Sequence, residues 1–422
     1  MDTNRTNIHE LFLRLVRLGI GRTDKSGFKF QDSGFKSVDW VALKALADRQ
    51  GLTALVLDGL NTVHGEGFMV QGSMPQMLRL EWIGEVLQNY EARYKAYEKA
   101  IGSLAGWYNA HGFKMMVLKG YACSLDWPRP EHRPCGDIDI WLFGAQKEAD
   151  EVLSHTDFTD YTDKIAGQAR NEGFRVQNQS RIGELENRVV IDNSHHHHTV
   201  FEWEGFVVEN HYDFVNVHAH RSSREMEGIF KVLGDFKNVD DNLNDNDKTN
   251  TNGTNITNVL VNGEKVYLPS ANLHALFLIR HMVSHFAAAE ISLRQVLDWA
   301  FFVEKHGKEI DWKWLEGLLE KYHMRDFYNC INAICVGDLD FEFNDNDNLN
   351  VDVDEELKDR VLGDILEPEW RATEPRGFFR RMVYKYRRWQ GNAWKQKMCY
   401  TESRWSAFWS GIWAKMMKPA SF

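Results

Sequence analysis

Two aspartates, Asp137 and Asp139, are the residues of this sequence best placed to do chemistry. They lie in the run Asp-Ile-Asp-Ile-Trp-Leu-Phe, whose β-branched and aromatic residues predict a strand. Residues two apart in a strand point to the same face, so both carboxylates would project together. Carboxylates this close repel each other unless a cation or a shared proton lies between them. With no His or Cys at ligand spacing beside the pair, the oxygen ligands favour Mg²⁺ or Mn²⁺ over zinc.

A second apolar run, residues 115–118, predicts a buried strand that ends at Lys119 and Gly120. A glycine at this point has no side chain to keep phosphate oxygens away from the backbone. The strand, the turn and the carboxylate pair together indicate a nucleotide-binding site.

These segments resemble the bacterial uncharacterised nucleotidyltransferases, within the superfamily that has the DNA polymerase β-like fold. The shared motif is Leu-Lys-Gly followed by Arg-x-x-Gly-Asp-x-Asp, here Leu118, Lys119, Gly120, Arg133, Gly136, Asp137 and Asp139. The resemblance covers about residues 35–305. The wider superfamily has Gly-Gly or Gly-Ser at the turn, whereas this chain has Gly120-Tyr121. Phosphate binding would therefore fall on backbone amides and on Lys119 or Arg133.

The resemblance also implies a third carboxylate, at the end of a later strand with the pattern acid-x-His-aromatic. Glu209, with His211 after it, matches this pattern. Strand parity places Glu209, His211 and Asp213 on one face, so Asp213 is an alternative third acid. His211 itself would either take part in catalysis or hold a neighbouring backbone group.

The activity that the resemblance implies is transfer of an NMP from an NTP, with ATP as the expected donor, to a hydroxyl acceptor by a two-metal mechanism. Asp137, Asp139 and Glu209 would hold Mg²⁺ or Mn²⁺. The acceptor, a small molecule or a protein, stays open. The alternative is a non-catalytic nucleotide-binding or protein-interaction module with the same fold. The residues expected to bind substrate are Lys119, Gly120, Arg133, Gly136, His211 and Arg294.

Two helical motifs further along match the same family, His281-x-x-x-His285 and Arg294-x-x-x-Asp298. The histidines lie one helical turn apart, but without a third ligand they are weak evidence for zinc. Arg294 and Asp298 would either form an ion pair along the helix or reach the nucleotide.

The run of four histidines at positions 195–198 suggests a metal site or a polar surface that touches substrate near the mouth of the site. Neighbouring residues of an extended chain face opposite ways, so we expect at most two of the four to share one metal. The polar surface is the favoured interpretation.

The predicted fold class is α+β, with a small mixed-sheet nucleotidyltransferase core at residues 111–270. Helical regions are expected on both sides of it, at 1–110 and 271–422. Residues 77–111 and 271–304 show apolar residues at helical spacing, and a hairpin is expected around Gly205. The Asn- and Asp-rich insert 235–258 has almost no apolar content and predicts a mobile loop.

The composition narrows the class of partner and the compartment. A formal net charge of −11 over 422 residues makes a nucleic-acid partner unlikely. Five cysteines, an odd number without a Cys-x-x-Cys pair, predict neither disulfides nor a zinc site. No signal peptide and no apolar run of about 18 residues is evident, so a cytoplasmic bacterial protein is expected.

The last 52 residues, 371–422, differ from the rest, since they carry twelve Lys and Arg against two Glu, with five tryptophans between them. A basic helix rich in tryptophan can lie on an anionic membrane, which would give peripheral membrane contact. It can equally pack back onto the acidic body of the protein, and this second interpretation is favoured.

Overall fold

The computed structural model describes residues 3–22, 38–65, 74–156, 189–218, 220–238, 255–343, 353–370 and 375–403, and positions 405, 406 and 409. Its centre is one six-stranded sheet in the order β3-β4-β2-β1-β6-β5. The strands are β1 (Met116–Val117), β2 (Ile138–Trp141), β3 (His198–Trp203), β4 (Phe206–His211), β5 (Thr257–Val261) and β6 (Glu264–Leu268). β2 runs parallel to β4, and β1 parallel to β6, while the other neighbours are antiparallel. The predicted α+β class with a mixed sheet is confirmed.

Helices precede, interrupt and follow the sheet. Those before and within it are α1 (Thr3–Gly19), α2 (Trp40–Gln50), α3 (Thr53–Gly65), α4 (Gln76–Glu85), α5 (Arg93–Ala110), α6 (Tyr121–Ser124), α7 (Gln146–His155) and α8 (Arg221–Leu233). Those after it are α9 (Ala271–Ala288), α10 (Leu293–His306), α11 (Trp312–Lys321), α12 (Arg325–Ala333), α13 (Glu355–Leu366), α14 (Phe378–Gly391) and α15 (Ala393–Cys399). A π-helical segment, Val86–Ala92, joins α4 to α5, so the helix predicted at 77–111 is continuous.

The sheet separates two apolar cores, because successive residues of a strand face opposite sides. Ile138 and Ile140 of β2 pack into the core that contains α5 and α7. Trp141 faces the other way, into a larger core shared with α9 and α10 and with the N-terminal helices. Asp139 has the parity of Trp141, so it lies on the face that looks towards α9 and α10.

The β3–β4 hairpin forms as the sequence predicts. Glu204 and Gly205 both have positive φ, 46° and 81°, as expected for a two-residue turn that follows the twist of its strands. The insert is shorter than predicted, because Phe236–Asn238 is a 3-10 helix and β5 begins at Thr257. Residues 239–254, the rest of the expected mobile loop, lie outside the described residues.

The cysteines and the helix lengths bear on two further expectations. All five cysteines are free thiols, as predicted from their number and spacing. Within the described ranges, no helix combines the length and the apolar character that crossing a membrane requires.

The basic C-terminal region divides into two parts with different surroundings. The short helix α15 packs against the body, where the buried Lys395 ammonium contacts Asp364 and donates to the Ala289 carbonyl at 3.0 Å. The longer helix α14 buries none of its residues, and Phe378 and Phe379 are 72% and 80% exposed. Positions 371–374, 404, 407, 408 and 410–422 of this region lie outside the described residues.

Candidate functional site

Asp139 and Glu209 lie side by side on neighbouring strands. Their Cα atoms are register partners in the parallel β2–β4 pair, so both side chains point to the same face of the sheet. His211 follows on that face, and its Nε2 lies 3.2 Å from Asp139 Oδ1 and 3.7 Å from Glu209 Oε2. One ligand atom from each of the three residues fits within 4.8 Å of the others. This acid-acid-imidazole group is the chemical centre of the site.

Lys119, just after β1, reaches the same carboxylate. Its Nζ lies 2.9 Å from Asp139 Oδ1, and the Asp139 side chain is fully buried. Burial opposes the charge on Lys119, but Asp139 and then Asp137 raise its pKa above the usual value. Burial likewise opposes the charge on Asp139, but the ammonium of Lys119 and the imidazole of His211 lower its pKa. Both groups are therefore charged at neutral pH.

His211 has its own charge balance. Burial alone would lower its pKa, but hydrogen bonding to Asp139 and Glu209 raises it to about 9. Its Nδ1 lies 3.2 Å from the carbonyl oxygen of Asp213, which fixes the ring from behind. A protonated His211 donates from both nitrogens, so it orients Asp139 while reducing the repulsion between the two carboxylates.

Asp137 lies outside the group of Asp139, Glu209 and His211, at the residue immediately before β2. Burial and the neighbouring charge of Asp139 raise its pKa. The Tyr97 hydroxyl donates to the Asp137 carbonyl at 2.8 Å and so holds this point of the chain in place. Gly120 lies against the same hydroxyl: its φ is +62°, and a Cβ there would meet Tyr97 Oη at 2.6 Å. Only glycine fits this turn without displacing the tyrosine.

Asp213, the other candidate for the third acid, lies apart from the group. β4 ends at His211, and beyond it the Asp213 carboxylate is 2.5 Å from Lys231 Nζ of α8. The strand parity that placed Asp213 beside Glu209 does not hold there, because the chain has left the sheet.

A cavity of about 280 Å³ opens in front of Asp137 and Asp139 and is closed on its far side by α9 and α10. Glu209 and His211 lie outside its lining. The sheet side contributes Lys119, Gly120, Gly136, Asp137 and Asp139, and the helical side contributes His281, His285, Arg294 and Asp298. The sequence motifs that precede the insert 235–258 and those that follow it therefore line the same cavity. A second hollow, of about 430 Å³, lies between Trp370 and α14 and has no carboxylate in its lining.

Arg133 is held by Asp298. Its Nε and Nη2 lie 2.7 Å and 2.9 Å from the two carboxylate oxygens, and the Trp127 indole donates to the same carboxylate at 2.9 Å. Asp298 therefore forms its ion pair with Arg133 and not with Arg294, the partner considered from the sequence. Arg133, expected to bind phosphate, lines the cavity with its guanidinium already in a bidentate pair.

Arg294 is left without such a partner. No hydrogen bond or ion pair joins its guanidinium to any residue of the described ranges. Burial and the neighbouring Arg133 lower its pKa, although the guanidinium stays charged at neutral pH. A cation that lines a cavity without a counter-ion is suited to an anionic ligand.

The two histidines of α9 form part of the cavity wall. The ring centroids of His281 and His285 lie 4.4 Å apart. Burial and then the charge of Lys119 lower the pKa of both, so they are neutral. They belong to none of the potential metal groups found among the described residues.

The four-histidine run lies next to the centre of the site. His198 is the first residue of β3, and its Nε2 is 3.8 Å from Glu209 Oε1. His197, His198 and His211 form a second group whose ligand atoms all lie within 4.8 Å. Sequence parity allowed at most two histidines of the run to meet. The two that meet, His197 and His198, are neighbours, which parity alone would place on opposite faces. They meet because His197 lies in a bend before β3, and the third imidazole, His211, comes from β4.

The residues present fit a hard divalent cation. Asp139 Oδ2 is buried and has no hydrogen-bond partner among the described residues, and Glu209 offers further oxygen ligands beside it. Oxygen-rich donor sets of this kind suit Mg²⁺ and Mn²⁺. Lys119 contacts the opposite oxygen of Asp139, so Oδ2 is the one left for a cation.

Sequence reasoning missed several members of the site. Tyr97 and the Arg133–Asp298 pair come from elements that are far apart in sequence, and local spacing does not connect such elements. His198 was expected in a polar surface near the mouth of the site, but not its position beside Glu209. The histidines of α9 were noticed as a motif, but nothing in their spacing placed them opposite the aspartates.

Comparison with known proteins gives one match. The sequence model of a family described as uncharacterised nucleotidyltransferase matches residues 36–336. No curated protein and no solved structure matches the chain. The matched range covers most of the chain and includes every residue of the site, so the chain belongs to this family.

Proposed function

We propose that this member of the uncharacterised nucleotidyltransferase family transfers an NMP from an NTP, with ATP as the expected donor, to a hydroxyl acceptor. The observation that carries the proposal is the pairing of Asp139 with Glu209 across β2 and β4. Asp139 lines a cavity that also contains Arg294, whose guanidinium has no partner among the described residues. Clustered carboxylates suit a divalent cation, and a free guanidinium suits the phosphates that such a cation binds.

The three acids would hold Mg²⁺ or Mn²⁺. Asp139 has a buried oxygen with no hydrogen-bond partner in the described part of the chain, Glu209 lies beside it, and Asp137 lines the cavity in front. When bound, such ions stabilise negative charge on the phosphate oxygens and on the attacking and leaving oxygens. His211 and Lys119 keep Asp139 ionised and fixed in one orientation.

The other cavity residues would bind the triphosphate. Lys119 and Arg294 supply positive charge from opposite walls, and Gly120 and Gly136 let phosphate oxygens approach the backbone. Arg133 acts through Asp298: their buried pair holds the loop that carries Gly136 and Asp137 against α10. Arg133 is in this view a positioning residue.

In the reaction, the acceptor oxygen forms a bond to the α-phosphorus while the bond to pyrophosphate breaks. Pyrophosphate leaves with the electron pair, and the proton of the acceptor hydroxyl passes to the Glu209 carboxylate. Positioning and electrostatic stabilisation supply most of the catalysis in transfers of this kind.

The experiment is magnesium-dependent release of pyrophosphate, measured with each of the four NTPs. The Asp139→Asn variant is expected to lose release, and Asp213→Asn, a carboxylate held by Lys231 outside the group, is the matched control. Thermal midpoints of both variants show whether they are folded. Release by folded Asp139→Asn at the rate of the unmodified protein contradicts the proposal.

One observation favours the alternative, a non-catalytic nucleotide-binding or protein-interaction module. Lys119 Nζ, 2.9 Å from Asp139, already neutralises the most buried carboxylate. In the same experiment, a non-catalytic nucleotide-binding module would bind NTP with an affinity that Mg²⁺ does not change, and it would release no pyrophosphate.

The net charge, the cysteines and helix α14 indicate which partners and which compartment to expect. The acidic net charge of −11 disfavours nucleic acid, and the free thiols fit the expected bacterial cytoplasm. Peripheral membrane contact would use α14. This helix has five Arg and Lys and no acidic residue, and its Phe378 and Phe379 are exposed.

A further inference from the structure

We propose that His197, His198 and His211 form a second metal site, which binds a transition-metal ion of the zinc class. One imidazole nitrogen from each lies within 4.8 Å of the other two. This spacing allows all three to reach one ion with a small adjustment of the rings, given metal–nitrogen distances of about 2.0–2.1 Å.

The backbone explains how neighbouring histidines of the run face one ion. His197 precedes β3 and lies in a bend, so the alternation of a strand does not apply to it. Its carbonyl accepts hydrogen bonds from the backbone amides of Tyr212 and Asp213, at 3.0 Å and 3.1 Å. His198 and His211 are register partners across the antiparallel pair β3–β4. All three positions are therefore fixed by backbone hydrogen bonds before any ion binds.

The side chains have nitrogens available for coordination. Nδ1 of His197 and Nδ1 of His198 are buried and have no hydrogen-bond partner within the part of the chain that the structure describes. A buried polar atom without a partner costs free energy, which coordination to a metal would recover. The imidazole rings also lie close together, with centroids 4.3 Å apart for His197 and His198 and 5.2 Å apart for His198 and His211.

The donor type selects the ion. Neutral imidazole suits zinc, cobalt, nickel, copper and iron, whereas Mg²⁺ prefers carboxylate oxygens and water. His211 is protonated without an ion, so it would release a proton and give up one of its hydrogen bonds when it coordinates the metal. Glu209 Oε1 lies 3.8 Å from the other nitrogen of His198, Nε2, so with Nδ1 on the ion Glu209 would be an outer neighbour of the site and water would be the fourth ligand. Glu209 would then lie between an oxygen-rich site around Asp139 and a nitrogen-rich site around His198.

The site would join the first residue of β3 to the last residue of β4 and hold Glu209 from the side away from Asp139. It would thus act on the position of Glu209. The imidazole group exists in this structure whether or not the protein transfers nucleotides, so this inference does not rest on the proposed function.

The experiment uses the full chain without an added polyhistidine tag, stripped with a chelator and titrated with Co²⁺ and with Zn²⁺. We expect one equivalent to bind, with the intense visible absorption of four-coordinate Co²⁺, in the presence of excess Mg²⁺. His197→Ala and His198→Ala should each weaken binding by about tenfold or more, as loss of even an outer partner of a metal ligand does. His195→Ala, in the same run but outside the group, should bind as the unmodified protein does.

X-ray absorption at the zinc edge tests the site in the unmodified protein, in case a variant fails to fold. It should show three imidazole nitrogens around the ion. Fewer imidazoles, no visible Co²⁺ band, or equal weakening by His195→Ala would overturn the proposal.

The two proposals fail separately. Pyrophosphate release with Mg²⁺ alone and no Co²⁺ band refutes the imidazole site and leaves nucleotide transfer standing. A normal Co²⁺ band with no release from any NTP does the reverse. Asp137→Asn, outside the imidazole group, should keep the band.

Discussion

Arg133 and Asp298 form a buried bidentate ion pair, with nitrogen–oxygen distances of 2.7 Å and 2.9 Å, that joins the loop before β2 to helix α10. The two side chains are 165 residues apart in sequence and are 5% and 6% exposed. This contact connects the sheet and helical walls of the cavity.

Breaking this pair should destabilise the protein. Arg133→Met leaves the Asp298 charge buried with Trp127 as its one remaining hydrogen-bond donor among the described residues, and loss of such a partner typically costs about 3–5 kcal/mol in the free energy of unfolding. The exposed pair of Arg221 and Glu225 gives the control, since Arg221→Met should change that free energy by less than about 1 kcal/mol. Urea unfolding measures both, and equal losses would argue against a structural role for Arg133.

Asp137→Asn should separate activity from stability. The variant removes a charge that burial and Asp139 disfavour, as the raised pKa of Asp137 indicates. We therefore expect the thermal midpoint to stay the same or rise. Pyrophosphate release should fall by at least about 10²-fold, the loss typical of removing one preorganised electrostatic group. Full activity in the variant would remove Asp137 from the cation site.

Arg294→Gln should weaken nucleotide binding with little effect on folding. A charge-assisted hydrogen bond contributes about 1.5–3 kcal/mol, so the Kd for NTP should rise by about tenfold to a hundredfold. The guanidinium has no partner in the described part of the protein to lose, so the thermal midpoint should not fall. Calorimetric titration with a non-hydrolysable NTP measures the change. Arg325→Gln, which removes an exposed arginine outside the cavity lining, is the control, and an unchanged Kd for Arg294→Gln would place the phosphates elsewhere.

His306 should make stability depend on pH. Burial lowers its pKa, but hydrogen bonds to Asp126 and Glu309 raise it to about 9, with Lys305 also beside Asp126. The unfolded pKa is about 6.5. A group whose pKa is raised by folding stabilises the protein below its unfolded pKa, and this contribution is lost as the pH rises through the folded value. The stabilisation should therefore decline between about pH 6.5 and pH 9.

His306→Gln provides the comparison. The difference in unfolding free energy between the unmodified protein and this variant should be larger at pH 6 than at pH 9.5, measured by urea unfolding. Using the difference removes the effect of other groups, such as Glu227, whose pKa burial raises to about 7. A difference that does not change with pH would mean that His306 is not held as a cation.

Any contact of the protein with a membrane surface is expected to depend on helix α14. A double variant with Phe378→Ser and Phe379→Ser lacks two exposed aromatic rings. Its thermal midpoint should be unchanged, since neither ring is buried. Cosedimentation with vesicles of anionic lipid should fall for the variant, and vesicles of neutral lipid should bind neither protein. Val232→Ser, at another exposed apolar residue, is the control. Equal binding of the double variant would favour contact of this region with the protein body.

The sequence predicted the parts of the site that depend on local spacing. The two-residue period of β2 placed Asp139 opposite the core-facing Ile138 and Ile140, and the Glu204-Gly205 turn set the β3–β4 hairpin. These features follow from neighbouring residues alone, because strand alternation and turn geometry are properties of the chain over a few positions.

Other relationships were decided by the tertiary structure. Parity alone left Glu209 and Asp213 equivalent, but β4 ends between them and Asp213 meets Lys231. Spacing along α10 left open whether Arg294 pairs with Asp298 or reaches the nucleotide, and packing brings Arg133 to Asp298 instead.

The histidine run shows the same division. The sequence favoured a polar surface over a metal site for the run, and strand parity would have placed the neighbours His197 and His198 on opposite faces. The bend at His197 and the pairing of β3 with β4 bring both next to His211. Chain geometry fixes which way a side chain points relative to its neighbours. Which side chains meet depends on the register of paired strands and on the packing of helices that the sequence separates by many residues, and only the folded molecule determines these.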